Sequence, residues 1–461
     1  MNVIRSATEP ATVTHVTGFI PRWMTGVLVL ATWAAVGALR AEPAEPWTLD
    51  RALAVALKNS PDARVAHQRI EAAQAMIEQA GAAWLPQVML KGSYTDTNSP
   101  MMAFGAILNQ RAFNFGLDFN HPGQIDNLNT TGTVAYNLYS GGRAAAGRNA
   151  ARAGARAAEQ DLRATQNQLG VEVVKAYLTI RKAREAVAAV ESGVEAYEAG
   201  VAAAQARFGA GQMLKADLLS LEVQLAQTRE TFSSVRHGAA LAARAFLFVL
   251  GQEASGDSVE LAVDDPSIGR LILPDTHDAS QRPELLGLQE RLRAAGEMVR
   301  AARGNRQPTV NAFASYQYDQ GWKLDRHADS WMAGVSVDLN VFDGGQTSGK
   351  IRQSLAELAQ VKEILRKATL GIGLEVEQAR LAHDDAVERL AVSAQAVDQA
   401  EESASLSRAR FEKGALLTAD LIGAESRLIE TRMRRVVAEA DERIALAELR
   451  CALGLTPLAQ P

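Results

Sequence analysis

Ala206-Arg207-Phe208-Gly209-Ala210-Gly211-Gln212-Met213-Leu214-Lys215-Ala216-Asp217-Leu218 returns, without a gap, as Ala409-Arg410-Phe411-Glu412-Lys413-Gly414-Ala415-Leu416-Leu417-Thr418-Ala419-Asp420-Leu421. The offset is 203 residues (409 − 206), and the likeness runs on to Arg229 and Arg432. Over the 24 positions 206–229, 12 are identical: Ala206, Arg207, Phe208, Gly211, Leu214, Ala216, Asp217, Leu218, Glu222, Leu225, Thr228 and Arg229. Unrelated sequence gives about one or two matches, so this is an internal repeat with a period far longer than a solenoid unit. Gly211 and Gly414 suit a helix stop, and Asp217 and Asp420 suit the first turn of a following helix. Each copy therefore reads as the tip of a helical hairpin.

Outward from the first tip the apolar residues recur at intervals of four and three. Before it stand Leu169, Val173, Ala176, Ile180, Ala183, Val187, Val190, Val194, Tyr197, Val201, Ala204 and Phe208; after it Leu218, Leu221, Leu225, Thr228, Phe232, Val235, Ala239, Ala242, Phe246 and Val249. A mean period of about 3.5 residues is the seam of a left-handed coiled coil. The rising helix is expected from Arg143 to Phe208, which at ~1.5 Å per residue is roughly 100 Å. The matching second seam, through Ile372, His383, Val397 and Phe411, is more polar and smaller-sided. That helix is expected to face water or a neighbouring chain. His383 reads as a packed or solvated histidine, and Asp384-Asp385 as a solvated face.

The repeat extends beyond the hairpins. Ser60-Pro61 matches Arg282-Pro283 and Pro86 matches Pro308, both at offset 222 (283 − 61 and 308 − 86). After each second proline comes an alternating pattern: Val88–Thr95 and Thr133–Leu138 in the first half, Val310–Tyr318 and Val335–Val341 in the second. Period-two alternation of this length is the signature of a membrane β-strand, apolar outward and polar inward. A soluble sheet edge gives the same pattern; the export signal and the long helices beside it favour the membrane. Each half leaves its second strand through paired glycines, Gly141-Gly142 and Gly344-Gly345, which allow a sharp strand-to-helix turn. Four strands cannot close a barrel, and open edges are not tolerated in lipid. The strands must be pooled among chains; two chains would give a filled barrel of eight and three a barrel of twelve with room for a lumen.

Residues 1–41 read as a secretory signal, with Arg5, Arg22, an uncharged run Trp23–Leu39 and a cut near Ala41. An uncleaved anchor is the alternative. Residues 42–251 form the first repeat, 252–282 an acidic connector rich in Pro and Gly, 283–454 the second repeat and 455–461 a tail. Thr48 is expected to cap a first short helix. Met101, Met102 and His121 fall in the longer linker of the first strand pair, which reads as an outer loop rather than a soft-metal site. The chain has 461 residues, 22% charged, with a net charge of −5 and one cysteine, Cys451. No nucleic-acid surface, internal disulfide, cysteine-based metal site or lipid-anchored N-terminal cysteine is expected. The chain has no phosphate loop, His-x-x-x-His or Gly-x-Ser-x-Gly, and neither enzyme chemistry nor a cofactor is expected.

The candidate functional residues lie at the tips. Met213 and Leu214 in one copy, Leu416 and Leu417 in the other, are apolar groups at a turn beside Gly211 and Gly414, and suggest a partner surface or packing on the neighbouring hairpin. Asp217 and Asp420 read as helix-start residues; in a ring of chains they would also gather negative charge at a pore mouth.

Taken in order, Thr48-Leu49-Asp50-Arg51-Ala52-Leu53 with Asn59-Ser60-Pro61, the Leu85-Pro86 and Gln307-Pro308 strand entries, the Gly-Gly exits and the two Arg-Phe-x-x-Gly-x5-Asp-Leu tips resemble the TolC-like outer-membrane efflux protein family over residues 47 to 454. The resemblance implies a mainly α fold with a small β part. Two tandem coiled-coil hairpins join four strands per chain, and a homotrimer builds a 12-stranded outer-membrane barrel above a periplasmic helical tunnel. It implies tips that dock onto a periplasmic membrane-fusion adaptor linked to an inner-membrane pump. The sequence departs from the family pattern in Asn59-Ser60-Pro61 for Asn-Pro. It also departs in Gly423, where a second acidic residue often follows the one at Asp420, and in Phe411 and Leu416, which cannot supply polar links across the mouth. An efflux duct is the function so implied. A duct for ATP-driven protein secretion shares the fold, and a periplasmic coiled-coil scaffold without a barrel is the reading from another class.

Overall fold

A computed structural model describes residues 46–253, 259–273, 279–456 and 458. The expected signal segment, 1–41, lies outside the described residues, as do parts of the connector and tail. Among the described residues of the unit Trp47–Pro461 there are, besides three short 3-10 turns, eight α-helices and four strands. In chain order these are α1 (Leu49–Asn59), α2 (Pro61–Gly81), β1 (Gln87–Thr97), α3 (Pro100–Asn109), β2 (Ile125–Tyr139), α4 (Arg143–Gly209), α5 (Lys215–Val249), α6 (Pro283–Gly304), β3 (Thr309–Gly321), β4 (Arg326–Asp338), α7 (Gln346–Glu412) and α8 (Thr418–Ala452). The two halves repeat each other, with α3 as the added piece. Among the described residues no helix is long and apolar enough to cross a membrane.

The strands form one antiparallel sheet in the order β1-β2-β3-β4, so the two halves meet at the β2–β3 ladder. The register sorts the side chains by chemistry. Val88, Val134, Ala314 and Ala333 lie in one row across the sheet, and Leu90, Gly132, Tyr316 and Trp331 in the next on the same face. The opposite face carries Thr131, Asn129, Asn311, Gln317 and Ser336, alternating with the first along each strand. A polar network runs over it: Asn127 and Asn129 donate to Asp319 Oδ1 at 2.6 and 3.0 Å, and Gln317 donates to Oδ2 at 2.6 Å. Trp331, Val335, Val337 and Val88 on the apolar face are exposed in the single chain. β1 and β4 each pair on one side only.

Two boundaries differ from the sequence reading. The alternation of Val335, Val337, Leu339 and Val341 outruns its strand, because β4 ends at Asp338 opposite Thr309. Pro308 follows on the partner side and has no N–H to extend the ladder. The segment expected as a plain outer loop contains α3. Ser99-Pro100 starts it in the way that Ser60-Pro61 starts α2, with proline at the first helical position. Ala103 and Ile107 of α3 pack with Ile125 in a small cluster of their own.

Both long helices, α4 and α7, span 67 residues, about 100 Å. Their surroundings differ. α4 buries 19 residues and α7 only five: Ile372, Ala386, Val397, Ala404 and Phe411. α4 packs on α2, α5, α6 and α8, while α7 packs on α6 and α8. Leu370, Leu374, Leu381, Val392 and Leu406 of α7 are left exposed.

The main core lies where α1 and the connector cross α4, α5 and α8, around Leu49, Val173, Tyr177, Phe246, Leu250, Ile268 and Leu271. Trp47 meets Phe246 edge-on at 5.7 Å, and its carbonyl accepts from Ala262 N–H at 2.9 Å and from the Tyr177 hydroxyl at 3.2 Å. Thr48 caps α1 as expected, accepting from Arg51 N–H at 3.3 Å. The α1 terminus has a second acceptor: Asp265 Oδ2, from the connector, takes Leu49 N–H at 2.7 Å, and its Oδ1 takes Ser267 N–H at 3.0 Å. α5 and α8 end alike. Gly251 and Gly454, at φ +68° and +78°, close their helices and touch the start of α2 and α6. A β-carbon on Gly251 would fall 2.7 Å from the Asn59 carbonyl oxygen, and one on Gly454 2.9 Å from Arg282 Cγ.

Burial of Asp265 opposes its charge, but hydrogen bonds from Ser267 and from the Leu49 and Ser267 N–H groups outweigh it and hold its pKa below the usual carboxylate range. A depressed native pKa adds stability above the unfolded value and loses it as pH falls through the native value. Asp265→Asn is therefore expected to lower stability by about 1–3 kcal/mol at neutral pH. The gap to the wild type should narrow below about pH 4. Chemical denaturation across pH checks this, and parallel curves at every pH would show that the carboxylate charge does not matter.

Candidate functional site at the hairpin tips

The spacing Arg-Phe-x-x-Gly follows from how a helix is closed. Gly211, at φ +71°, donates to the Phe208 carbonyl, and Gln212 N–H reaches back to the Arg207 carbonyl, both at 2.9 Å. Gly414, at φ +72°, and Ala415 do the same to Phe411 and Arg410. This is the paired Schellman closure, in which the left-handed position favours glycine. The main chains of Arg and Phe are thereby fixed and their side chains left free to work.

The restart of the helix is less economical. The N-cap positions of α5 and α8 are Leu214 and Leu417, and neither supplies a capping side chain. A Ser, Thr, Asp or Asn there would stabilise the helix by about 0.5–2 kcal/mol. Asp217 and Asp420 lie three residues on, in the first turn, where a carboxylate interacts favourably with the positive end of the helix dipole. Leu214 and Leu417 are 71% and 73% exposed. Two uncapped helices beginning on exposed leucines identify these side chains as the candidate docking groups. Met213 and Leu416, expected beside them on the surface, instead turn inward against the cluster of Tyr197, Leu218, Leu221 and Phe411. For these two residues the packing on the neighbouring hairpin is realised, because the two tips touch; both stay partly exposed.

The contact is asymmetric. The Arg207 guanidinium lies over the Phe411 ring, 5.3 Å from its centroid, and Nη1 donates to the Phe411 carbonyl at 3.2 Å. Phe411 is 2% exposed, whereas its counterpart Phe208, at the end of the expected first seam, is 42% exposed. Higher up, the Tyr197 hydroxyl donates to the Ile422 carbonyl at 3.1 Å and lies 2.9 Å from Ser426 Oγ. Burial raises the Tyr197 pKa, so the phenol stays neutral and can donate. Glu425 is 2% exposed and receives Arg408 through both oxygens, at 2.5 and 2.8 Å. Arg408 was not singled out from sequence, and Tyr197 was read only as a seam residue. The 203-residue offset pairs Gln205 with Arg408 and Ala400 with Tyr197, so a search for differences between the two copies would have found both; Arg207, shared by the two copies, was visible only as part of the repeated motif.

The strand exits follow the expected chemistry of glycine. Gly141, Gly142, Gly344 and Gly345 all have positive φ, from +65° to +91°. Gly141 also needs its missing β-carbon for space, since one there would strike the Gly304 carbonyl. Met101 and Met102 are exposed on α3, and His121 lies 3.3 Å from Asp118. His383 sits 3.9 Å from Glu442, and Asp385 pairs with Arg389 at 3.1 Å.

Comparison with known proteins places this architecture. The family model for outer membrane efflux proteins matches residues 52–252 and 278–455, nearly all of both repeats. The chain belongs to the outer membrane efflux protein family. Outer membrane efflux protein BepC of Brucella suis is 28% identical over 189 residues, which is 38% of this chain and 39% of BepC. The match thus spans well under half of that curated relative. Among solved structures, the channel CusC superposes with a TM-score of 0.75 at 18% identity, covering 88% of this chain and 92% of its own. The outer membrane protein VceC of Vibrio cholerae gives 0.72 at 20% identity, covering 88% and 96%. The channels of this family are transport ducts of the outer membrane.

Arg408→Ala is expected to destabilise the second hairpin more than Glu425→Gln does. The first change leaves a buried carboxylate without its partner, about 1–3 kcal/mol once the half-exposed guanidinium is allowed for. The second removes charge from the buried side. Thermal melts followed by helical circular dichroism rank the two, and the reverse order would show that Glu425 is solvated.

Proposed function

We propose that three copies of this chain form the exit duct of a tripartite efflux system. Their pooled strands would make a barrel of twelve (3 × 4), and their hairpins a periplasmic tunnel whose tips bind a membrane-fusion adaptor served by an inner-membrane pump. The observation that carries this reading is the sheet itself: one apolar face, one polar hydrogen-bonded face and two unpaired edges. Lipid demands that those edges close. Twelve strands leave a lumen that eight would fill with side chains. The polar face, with Asn129, Asn311 and Asp319, would line water, and Val88, Trp331, Val335 and Val337 would meet lipid. The duct itself is passive, and the driving force belongs to the pump. Small molecules are the cargo this reading assigns.

At the other end, Leu214 and Leu417 together with Met213, Leu416, Gly211 and Gly414 form the docking tips, and Asp217 and Asp420 add negative charge around the mouth. An adaptor that ends in helical hairpins would fit between such tips, its apolar residues covering the leucines.

Two measurements test the reading from its two ends. Val337→Arg should impair membrane assembly by about 2–4 kcal/mol near the bilayer midplane, while Ser336→Arg should be milder. Equal tolerance in a heat-modifiability assay of folded barrel would reverse the assigned faces or remove the barrel. Leu417→Asp and Gly211→Trp should abolish adaptor pull-down and export at unchanged membrane yield, with Leu416→Asp also lowering hairpin stability. Asp420→Asn should keep adaptor binding and alter cation conductance in single-channel recordings. Full adaptor binding by the tip variants would mean that the docking site lies elsewhere on the helices.

A further inference from the structure

The helices just below the sheet carry charge of one sign on one side. Ala144 and Gly147 of α4 line a cleft over the polar face of the sheet, together with Ala135, Asn137 and Asn311. At about 100° per residue, Arg152 and Arg156 stand about 140° and 180° around the helix from Gly147, on the side away from that face. Glu290, Arg293, Glu297 and Arg300 recur at intervals of three and four and share one face of α6. Arg156 meets Glu290 at 2.8 Å, which joins that face to the outward side of α4. The two carboxylates are covered, with side chains 13% and 18% exposed, while Arg156, Arg293 and Arg300 above them are 48%, 65% and 72% exposed. Arg148, Arg152 and Arg303 are exposed as well and enter no ion pair among the described residues.

We propose that this arginine patch holds the anionic headgroups of phospholipids in the leaflet on the helix side of the membrane. This rests on the reading above that the apolar face of the sheet meets lipid.

Depth, chemistry and the repeat each support it. Gly304 touches Gly141 at the strand exit, so α4 and α6 reach the sheet at one level. Arg148 and Arg152 lie ~9 and ~15 Å below Gly142, and Arg303 and Arg300 ~2 and ~6 Å below Gly304. A headgroup layer is roughly 5–8 Å deep, and the field of its charges reaches about 8 Å further at physiological salt. Directly above, the exposed Trp84, Leu85, Val341 and Phe342 mark the lower edge of the apolar surface. All six cations are arginine, whose planar fork takes two phosphate oxygens at once. Lysine would serve solubility equally well. The second copy of the repeat is the internal control. At offset 203, Arg148, Arg152 and Arg156 become Ile351, Leu355 and Ala359; at offset 222, Arg293, Arg300 and Arg303 stand for Glu71, Glu78 and Gly81. Solubility would ask the same of both copies, whereas a binding patch needs to be built only once per chain.

The test uses the full-length chain, placed in vesicles of phosphatidylcholine with or without phosphatidylglycerol. Native mass spectrometry of the re-extracted protein counts the retained lipid of each kind. The wild type should retain phosphatidylglycerol in preference, and the preference should weaken as salt is raised. The triple change Arg148→Gln, Arg152→Gln and Arg303→Gln breaks no ion pair of the described residues and should cut the preference by about tenfold or more. Lysine at the same three positions should keep part of it, since the charge persists and the fork is lost. Lys350→Gln, whose counterpart Gly147 faces the cleft, should leave it intact. Insertion at normal yield with no preference for phosphatidylglycerol overturns the patch and leaves the barrel standing. Failure of the wild type to insert, with its helices folded by circular dichroism, overturns both. A preference that survives the triple Gln change overturns the location. Loss of binding to purified peptidoglycan by that variant, with its lipid preference unchanged, would assign the arginines to a cell-wall polymer instead.

Discussion

Backbone hydrogen bonding in hydrocarbon governs this molecule. A sheet of four strands leaves two rows of unpaired N–H and C=O groups along β1 and β4, and each unmade bond away from water costs several kcal/mol. No rearrangement within one chain repairs that, because the four strands are used up in a single antiparallel order. On the reading proposed above the remedy is another copy, and once copies ring a barrel their helices must ring as well. The thin burial of α7 follows from the same constraint. A helix of 67 residues that buries five of them in its own chain is made to be covered by something else.

The repeat explains why so much of this was legible in advance. Hairpin tips, proline starts and double-glycine exits are backbone features, and backbone features carry strong residue preferences. Gly211 and Gly414 hold left-handed positions that favour glycine, so their spacing from Arg and Phe could be read directly as a helix closure. The long seams were legible because a period of 3.5 persists for many turns before it could arise by accident.

What the sequence hid was chosen by tertiary contact. Met213 and Leu416 look like the neighbouring leucines, and only the approach of the two tips turns them inward. β4 stops at Asp338 although the valines go on alternating, because a strand lasts only as long as its partner. The helix α3 was masked by the expectation of a loop, although Ser99-Pro100 announced it. The double capping of α1 by Thr48 and Asp265 joins residues 217 positions apart (265 − 48), which no local pattern reports. The contact of Tyr197 lay in a difference between the two copies, Tyr197 against Ala400, while Arg207 is shared by both copies and only its surroundings differ.

The unequal phenylalanines at the tips have a genetic meaning. A ring of six identical half-length chains would have a single kind of joint, and any codon change would alter all six at once. In the trimer proposed above, fusion into one chain separates the joints into two classes of three, each encoded by its own residues. Tyr197 can then strengthen one class while Ala400 leaves the other plain, and Phe411 can be enclosed while Phe208 stays accessible. The two unequal copies of the repeat thereby give mutation an address: the joint within the chain can be stiffened without stiffening its counterpart.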